Sequence, residues 1–147
     1  MNEDPAYIAA WQRLDTRTTT SGRLVADDVT ALAALGVRHV INLALADSPG
    51  GLAGEEALVA AQGMRYTHIP VPFDAPRESH YEEFRAAFDA DDQAVHVHCI
   101  MNWRVAAFFY RYHRERGMPQ SEARALMEQQ WVPEATEHQP WAEFVAR

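Results

Sequence analysis

Residues 94–104 read AVHVHCIMNWR and combine an extended segment, a cysteine and an arginine that opens a helix. Apolar residues alternate with histidines over residues 94–98, as they do along a β-strand. From Arg104 to Arg116 the apolar residues recur with the 3.6-residue period of a helix. The stretch therefore predicts a strand, a short loop that begins at Cys99, and a helix, in that order.

The same alternation of extended and helical segments continues along the rest of the chain. Two more strands are predicted, at residues 37–43 and 65–69. Helices are predicted at residues 26–35, 55–62, 79–88, 121–130 and 136–145. The third of these helices is expected to open on a capping box, Ser79-His80-Tyr81-Glu82. Such alternation favours an α/β fold with a central, mostly parallel sheet of four to five strands and helices on both faces. No linker or repeat divides the chain, so residues 1–147 are expected to form one domain, in which residues 1–19 are a lead-in that the pattern does not assign.

Composition and charge narrow the possible functions. The formal net charge of −8 provides no basic face for a nucleic acid, and it repels anions at long range, so any anion site must come from local geometry. The single cysteine cannot form an internal disulfide. No apolar run is long enough to span a membrane. The first five residues lack the basic start of a secretion signal. The expectation is a cytoplasmic protein that binds neither nucleic acid nor membrane.

Three loops at one edge of the sheet are the expected location of a ligand. In parallel α/β sheets, ligands bind outside the carboxyl ends of the strands. The loops that meet this edge are residues 44–54, 70–77 and 99–103. Functional side chains are therefore expected in these three segments.

The loop from Cys99 to Arg104 has the composition of an oxyanion site beside a reactive thiol. Backbone N–H groups at the start of a helix point toward an anion, and the planar fork of Arg104 suits two oxygens of a phosphate or sulfate. The same positive potential favours the thiolate of Cys99, which is the nucleophilic form. His98 is expected to order this loop from behind through hydrogen bonds rather than to act as a base. The alternative interpretation of Cys99 is a buried structural cysteine.

His96, Trp103 and Phe73 each allow two interpretations. His96 and His98 lie on one strand face and could form a metal site with Cys99. No carboxylate stands in an evident third position, so the pattern favours a hydrogen-bonded sheet histidine at position 96, and no metal or organic cofactor is implied. Trp103 either stacks on an aromatic ligand or packs beneath the loop, and Phe73 is either a pocket wall or a loop anchor.

The pair His98-Cys99 followed by Arg104 resembles the signature loop of cysteine-dependent protein phosphatases of the dual-specificity and tyrosine types. Three other segments strengthen the likeness, namely Ser21-Gly22-Arg23-Leu24, Gly36-Val37-Arg38-His39-Val40-Ile41-Asn42-Leu43 and Ile69-Pro70-Val71. Together with Trp131-Val132-Pro133 and Trp141-Ala142-Glu143-Phe144, they resemble the compact bacterial branch described as beta-lactamase hydrolase-like phosphatases. The resemblance runs from about Thr20 to the end of the chain.

The resemblance implies a phosphatase-like fold and hydrolysis of phosphate monoesters through a cysteinyl-phosphate. Cys99 would attack phosphorus, and Arg104 would bind the phosphoryl oxygens together with backbone N–H groups. The backbone groups are those of Ile100, Met101, Asn102, Trp103 and Arg104. Asp74 is the candidate general acid, with Asp47 in reserve. The implied partners are a phosphorylated protein or a small-molecule phosphoester, and phosphate, sulfate or vanadate would bind the loop.

The chain departs from the phosphatase pattern in two places, which keeps two other functions open. Four residues, rather than the usual five, separate Cys99 from Arg104, and none is glycine, so Asn102 is the least costly place for a positive φ angle. Val105 stands where a hydroxyl residue usually follows the arginine and helps the thiolate leave. One alternative is a rhodanese-like sulfurtransferase, since its loops have this length. The other is a weakly active module that binds phosphate or a phosphoprotein.

Overall fold

Within residues 3–135 and 139–147, which the computed structural model describes, five strands form one sheet in the order β1-β2-β5-β3-β4. They are β1 (Gln12–Arg13), β2 (Thr18–Ser21), β3 (His39–Asn42), β4 (Arg65–His68) and β5 (Val95–His98). Only β1 runs antiparallel to its neighbour, and every other pair is parallel. The mostly parallel sheet confirms the predicted α/β class.

The helices follow the predicted pattern with small shifts at their ends. They are α1 (Ala26–Leu35), α2 (Glu55–Ala61), α3 (Glu78–Asp89), α4 (Trp103–Glu115), α5 (Gln120–Glu128) and α6 (Gln139–Ala146), with a 3-10 turn at Pro133–Ala135. The predicted start of the third helix at Ser79 is wrong, because Arg77 is the N-cap and its N–H donates to His80 Nδ1 over 3.0 Å. The predicted start of the last helix, Thr136–His138, lies outside the described residues. Among the described helices, none has the length and apolarity to cross a bilayer.

Two hydrophobic cores lie on opposite faces of the sheet. On one face α1 and α2 pack around Leu32, Val40 and Val59, all completely buried. On the other face α3, α4, α5 and α6 enclose an aromatic core that includes Phe84 and Phe108. Neighbouring residues of one strand contribute to different cores, as the period of two requires. The prediction of helices on both faces is therefore confirmed.

The lead-in that the sequence left unassigned contains β1 and the first half of β2, an interior strand of the sheet. The residues of β2, Thr18-Thr19-Thr20-Ser21, are all buried although none is apolar. Three of the four hydroxyl groups have partners inside the fold, and Thr20 Oγ1 donates to the carbonyl of Gln12 over 2.8 Å. Thr18 Oγ1 is buried without a hydrogen-bond partner among the described residues. Thr19 and Ser21 bond to a histidine of β5. This strand lies beside β5 and so borders the loop that follows it.

An ion-pair cluster fixes the start of α3 against α4 and the C-terminus. Arg111 and Arg147 each donate to Glu78 Oε1 over 2.9 Å. These two guanidinium groups lower the pKa of Glu78 to about 2. The cluster anchors the end of the loop between β4 and α3, which carries Asp74.

Candidate active site

The three loops at the carboxyl edge of the sheet enclose a cavity of about 360 Å³, as the sequence predicted. Its lining residues come from the β3–α2 loop, the β4–α3 loop and the segment between β5 and α4. They are Leu45, Ser48, Pro49, Phe73, Cys99, Ile100, Met101, Trp103 and Arg104. The cavity therefore brings Cys99 and Arg104 together, as the sequence analysis expected.

Cys99 lies at the base of this cavity, directly after β5. Only 1% of the residue is exposed, and it packs against the larger aromatic core while also lining the cavity. Its position at the end of β5 fixes the residue on a rigid element beside the cavity. The same burial is what a structural cysteine would show, so burial alone does not separate the two interpretations.

The loop between Cys99 and Arg104 turns through a left-handed residue. Asn102 has a φ angle of 65°, which confirms the predicted position of the positive φ. Its completely buried side chain points away from the cavity, because Nδ2 donates to the carbonyl of Ala10 over 2.9 Å and to Thr20 Oγ1 over 3.1 Å. Since α4 begins at Trp103, the first N–H groups of the helix, which have no acceptor within it, open toward the loop.

Gly22 braces the same loop from the side of β2. The N–H of Arg23 donates to the carbonyl of Ile100 over 2.9 Å, and the N–H of Gly22 donates to the carbonyl of Ala9 over 2.7 Å. A Cβ atom at Gly22 would lie 2.5 Å from the carbonyl oxygen of Ile100. No side chain fits at this position unless the loop moves.

Replacing Gly22 with alanine is expected to displace the loop. If the chain hydrolyses phosphate monoesters, as the sequence resemblance implies, kcat/KM for an aryl phosphate should fall about 10- to 100-fold. The clash is also expected to lower the free energy of unfolding by about 1–3 kcal/mol. Steady-state kinetics and chemical denaturation measure the two effects.

The matched control is Gly36→Ala, at the C-terminal end of α1. Gly36 has a φ angle of 105°, and among the described residues no neighbouring atom lies within 4 Å of the position that a Cβ would take. This variant is therefore expected to lose about 1–2 kcal/mol of stability, because of its backbone conformation, without losing activity. Parental kcat/KM in the Gly22→Ala protein would show that the contact does not position the loop.

Arg104 is buried and held by the neighbouring loop. Its Nη1 donates to the carbonyl of Val71 over 2.9 Å, and its guanidinium carbon lies 5.8 Å from the centre of the Phe73 ring. Only 6% of the residue is exposed. Because a guanidinium has five N–H donors, this anchoring contact leaves the group able to bind oxyanions as well.

Aromatic rings form one wall of the cavity. Trp103 stacks on Trp131 with 4.7 Å between ring centres and a tilt of 5°, and its ring also lies 6.1 Å from that of Phe73. Trp141 Nε1 donates to the carbonyl of Phe73 over 2.6 Å. Trp103 and Phe73 therefore each line the cavity and are anchored by packing, and stacking of Trp103 on an aromatic ligand stays a prediction.

The two candidate acids lie on the loops that border the cavity. Asp74 follows Phe73, and Asp47 lies between the lining residues Leu45 and Ser48. Both carboxylates are exposed, and neither is part of the cavity lining. Asp74 and Asp47 therefore both remain candidates for the general acid.

His98 contacts the Cys99 loop from the α2 side of the sheet, and its partner is a residue that the sequence analysis missed. His98 Nε2 lies 2.7 Å from Glu55 Oε2, and Nδ1 lies 3.2 Å from the carbonyl oxygen of Cys99. Both side chains are buried. The only signal for Glu55 in the sequence was an acid at the start of a predicted helix, which normally faces water.

His96 is a buried, hydrogen-bonded sheet histidine, as the sequence favoured. Its two ring nitrogens each lie 2.8 Å from a hydroxyl group, Thr19 Oγ1 and Ser21 Oγ. Burial holds the pKa of His96 well below its ordinary value, so the ring is neutral. Within the described residues, no three His, Cys, Asp or Glu side chains group as a metal site would require.

Comparisons with known proteins agree with this geometry. Residues 10–109 match the family described as beta-lactamase hydrolase-like protein, phosphatase-like domain. The match begins before Thr20 and ends before the tryptophan segments near the C-terminus, so its bounds differ from those expected. No curated protein sequence matches significantly.

Similar solved structures extend the likeness to nearly the whole chain. A candidate phosphatase of Shewanella putrefaciens CN-32 (DUF442) has a TM-score of 0.83 and 27% identity, over 99% of this chain and 95% of that chain. A candidate phosphatase of Neisseria meningitidis Z2491 has a TM-score of 0.72 and 18% identity, over 90% and 96% of the two chains. A variant of P. aeruginosa TpbA in complex with pTyr has a TM-score of 0.64 and 16% identity, over 99% of both chains. The two more distant structures show that the fold is shared.

Proposed function

Because the chain belongs to the beta-lactamase hydrolase-like family of phosphatase-like domains, within the cysteine-based tyrosine and dual-specificity superfamily, we propose that it hydrolyses phosphate monoesters through a covalent intermediate on Cys99. The observation that carries this proposal is the placement of Cys99, Arg104 and the start of α4 around one cavity. Each of the three supplies what a phosphoryl group needs, namely a nucleophile, a planar cation and backbone N–H donors.

The proposed reaction has two steps. The thiolate of Cys99 attacks phosphorus opposite the ester oxygen, so an S–P bond forms while the P–O bond to the leaving group breaks. A carboxylic acid, for which Asp74 is the candidate, gives its proton to the departing oxygen. The resulting carboxylate then takes a proton from water as the water oxygen attacks phosphorus, which releases phosphate and restores the thiolate.

Arg104 and the backbone N–H groups of residues 100–104 bind the three non-bridging oxygens throughout. Charge on these oxygens changes during transfer, and donors fixed in place before the reaction stabilise it without reorganising. The contact between Arg104 and the carbonyl of Val71 supports this role, because it fixes the guanidinium at the cavity with one of its five N–H donors.

The substrate that best fits the cavity is an aryl phosphoester, either a phosphotyrosine-like group of a protein or a small molecule. The rings of Phe73 and Trp103 line the cavity together with Cys99, and Pro49 and Met101 add apolar surface. Offset stacking on such walls favours an aromatic leaving group over an aliphatic one. Phosphate, sulfate and vanadate are the expected inorganic ligands, and a cytoplasmic protein without nucleic-acid or membrane partners remains the proposal for its setting.

Three assays on the purified protein distinguish this function from its rivals. We expect hydrolysis of p-nitrophenyl phosphate, inhibition by vanadate, and faster turnover of phosphotyrosine than of phosphoserine peptides. Turnover of thiosulfate with cyanide and no phosphatase activity would indicate a sulfurtransferase instead. Phosphate binding without either activity would indicate a binding module. Because Val105 replaces a hydroxyl that helps the thiolate leave, we expect the second step to be the slower one.

Replacing Asp74 with asparagine is expected to slow esters with poor leaving groups about 10²-fold while changing activated esters little, since only the former need a proton. Rates for a series of aryl phosphates measure this difference, and Asp47→Asn is the matched control. Equal losses across the series would exclude Asp74 as the general acid, and a selective loss in the Asp47→Asn protein would transfer the role to Asp47.

A further inference from the structure

We propose that Glu55 is a positioning residue that holds His98 as an imidazolium beneath the Cys99 loop, and so sets the pH at which Cys99 becomes reactive. The proposal rests on the proposed function of Cys99 as nucleophile. It adds a residue, 44 positions before that cysteine, that the loop motif does not contain.

The two ring nitrogens of His98 each face an oxygen atom, and these contacts determine how many N–H groups the ring must carry to form both hydrogen bonds. Nε2 faces a carboxylate oxygen of Glu55 at 2.7 Å, and Nδ1 faces the carbonyl oxygen of Cys99 at 3.2 Å. Both oxygens can only accept hydrogen bonds when Glu55 is ionised. A neutral imidazole carries one N–H, so one of its nitrogens would point a lone pair at an oxygen. With Glu55 ionised, the geometry is satisfied at both nitrogens only when the ring is doubly protonated.

The hydrogen bonds around Glu55 run in one direction and end on its carboxylate. The N–H of Ala44 donates to Asn42 Oδ1 over 2.9 Å, and Asn42 Nδ2 donates to the Tyr66 hydroxyl over 3.0 Å. Burial and the nearby carboxylate of Glu55 raise the pKa of Tyr66 above its ordinary value, as they would for a hydroxyl whose proton faces a carboxylate. A buried carboxylate that receives a hydroxyl and an imidazolium proton is favoured in its ionised form.

In the part of the chain that the structure describes, the titratable and charged groups that border the pair are neutral or exposed. The neutral ring of His96 stacks on His98 with 6.2 Å between ring centres. A second cavity of about 290 Å³ borders the pair and is also lined by Arg23, Glu56 and His68. Arg23 and Glu56 are exposed, so water screens their charges, and His68 Nε2 contacts the carbonyl of Ala44 at 2.6 Å.

The pair places its positive end toward the loop and its negative end toward α2. A positive charge behind the carbonyl of Cys99 stabilises a thiolate on the same residue, with little screening because His98 is only 2% exposed. Glu55 also begins α2, directly after the loop that supplies Leu45, Ser48 and Pro49 to the catalytic cavity. The pair therefore links one cavity wall to the loop that carries the nucleophile.

The first test measures the protonation of His98 in the unaltered protein. Nitrogen-15 NMR near neutral pH, with the His98→Gln spectrum to assign the signal, is expected to show both ring nitrogens of His98 protonated. A neutral ring with one protonated nitrogen would overturn the proposal. This experiment does not depend on phosphatase activity.

The second test compares the pH dependence of Cys99 alkylation by iodoacetamide in three variants. In Glu55→Gln the midpoint is expected to rise by about one pH unit, because the imidazolium loses its counter-ion and its proton. Glu55→Asp is expected to restore part of the shift, and Glu56→Gln, next to it but exposed, should leave the midpoint unchanged. An unchanged or lower midpoint in a folded Glu55→Gln protein, as judged by circular dichroism, would overturn the proposal.

The two tests separate this inference from the proposed function. If the unaltered thiol is acidic and protected by vanadate but insensitive to Glu55→Gln, only the role of Glu55 fails. If the thiol of the unaltered protein is alkylated with the midpoint of a free cysteine and vanadate gives no protection, the proposed function fails, whatever the protonation state of His98.

Discussion

Replacing Cys99 with serine is expected to abolish hydrolysis of aryl phosphates, with a loss of at least about 10³-fold in kcat, because a serine hydroxyl is not ionised by this loop near neutral pH. The substitution removes the nucleophile but keeps the backbone donors and Arg104. Binding of phosphate or vanadate should therefore survive, and the ligand should still raise the unfolding temperature as it binds the native state.

Steady-state kinetics and thermal unfolding with and without phosphate measure the two halves of this prediction. Ser48→Ala is a suitable control, since Ser48 also lines the cavity and carries no proposed chemical role. Parental turnover by the Cys99→Ser protein would remove Cys99 as the nucleophile. Loss of both turnover and phosphate stabilisation would mean that the thiolate itself, and not the surrounding donors, holds the oxyanion site together.

Replacing Arg104 with lysine is expected to lower kcat/KM about 10²- to 10³-fold, even though the positive charge is kept. A lysine ammonium cannot donate in parallel to two phosphoryl oxygens while also bonding to the carbonyl of Val71. The affinity for phosphate should fall as well, which separates this variant from the Cys99→Ser protein. The free energy of unfolding should fall by about 1–3 kcal/mol, because a buried carbonyl loses its donor.

The control for this substitution is Arg65→Lys. Arg65 is the first residue of β4 and lies at the end of the strand away from the cavity. The Arg65 side chain is exposed and pairs with Asp91, so its replacement should change neither kinetics nor phosphate binding. Activity measurements and isothermal titration with phosphate check both variants. An Arg104→Lys protein with parental phosphate affinity would show that the planar fork of Arg104 is not a phosphate ligand.

Much of the fold follows from local patterns in the sequence. Local residue patterns predicted β3, β4 and β5, and helical spacing predicted the helices. The interior strand β2 escaped this reasoning, since none of its residues is apolar. Two of them, Thr19 and Ser21, are buried with their hydroxyl groups paired to His96. The start of α3 escaped it too, because the imidazole of His80, not Ser79, completes the cap.

Some residues of the candidate site could likewise be predicted from the sequence, and others could not. One short loop carries Cys99, Arg104 and the left-handed Asn102, so their residue types and spacing were enough to predict that they act together. Glu55 could not, because its partner His98 is 43 positions away and only the packing of α2 onto the sheet brings them together. Gly22 was noted as part of a resembling segment, but its closeness to the carbonyl of Ile100 depends on the parallel pairing of β2 with β5.

The central claim is that the loop after β5 both ionises Cys99 and captures a tetrahedral oxyanion. The most direct measurement is the rate of Cys99 alkylation against pH, in the unaltered protein, with and without vanadate. We expect a midpoint below about pH 7 and strong protection by vanadate. A midpoint near pH 8.5, as for a free cysteine, with no protection by any oxyanion would contradict the claim.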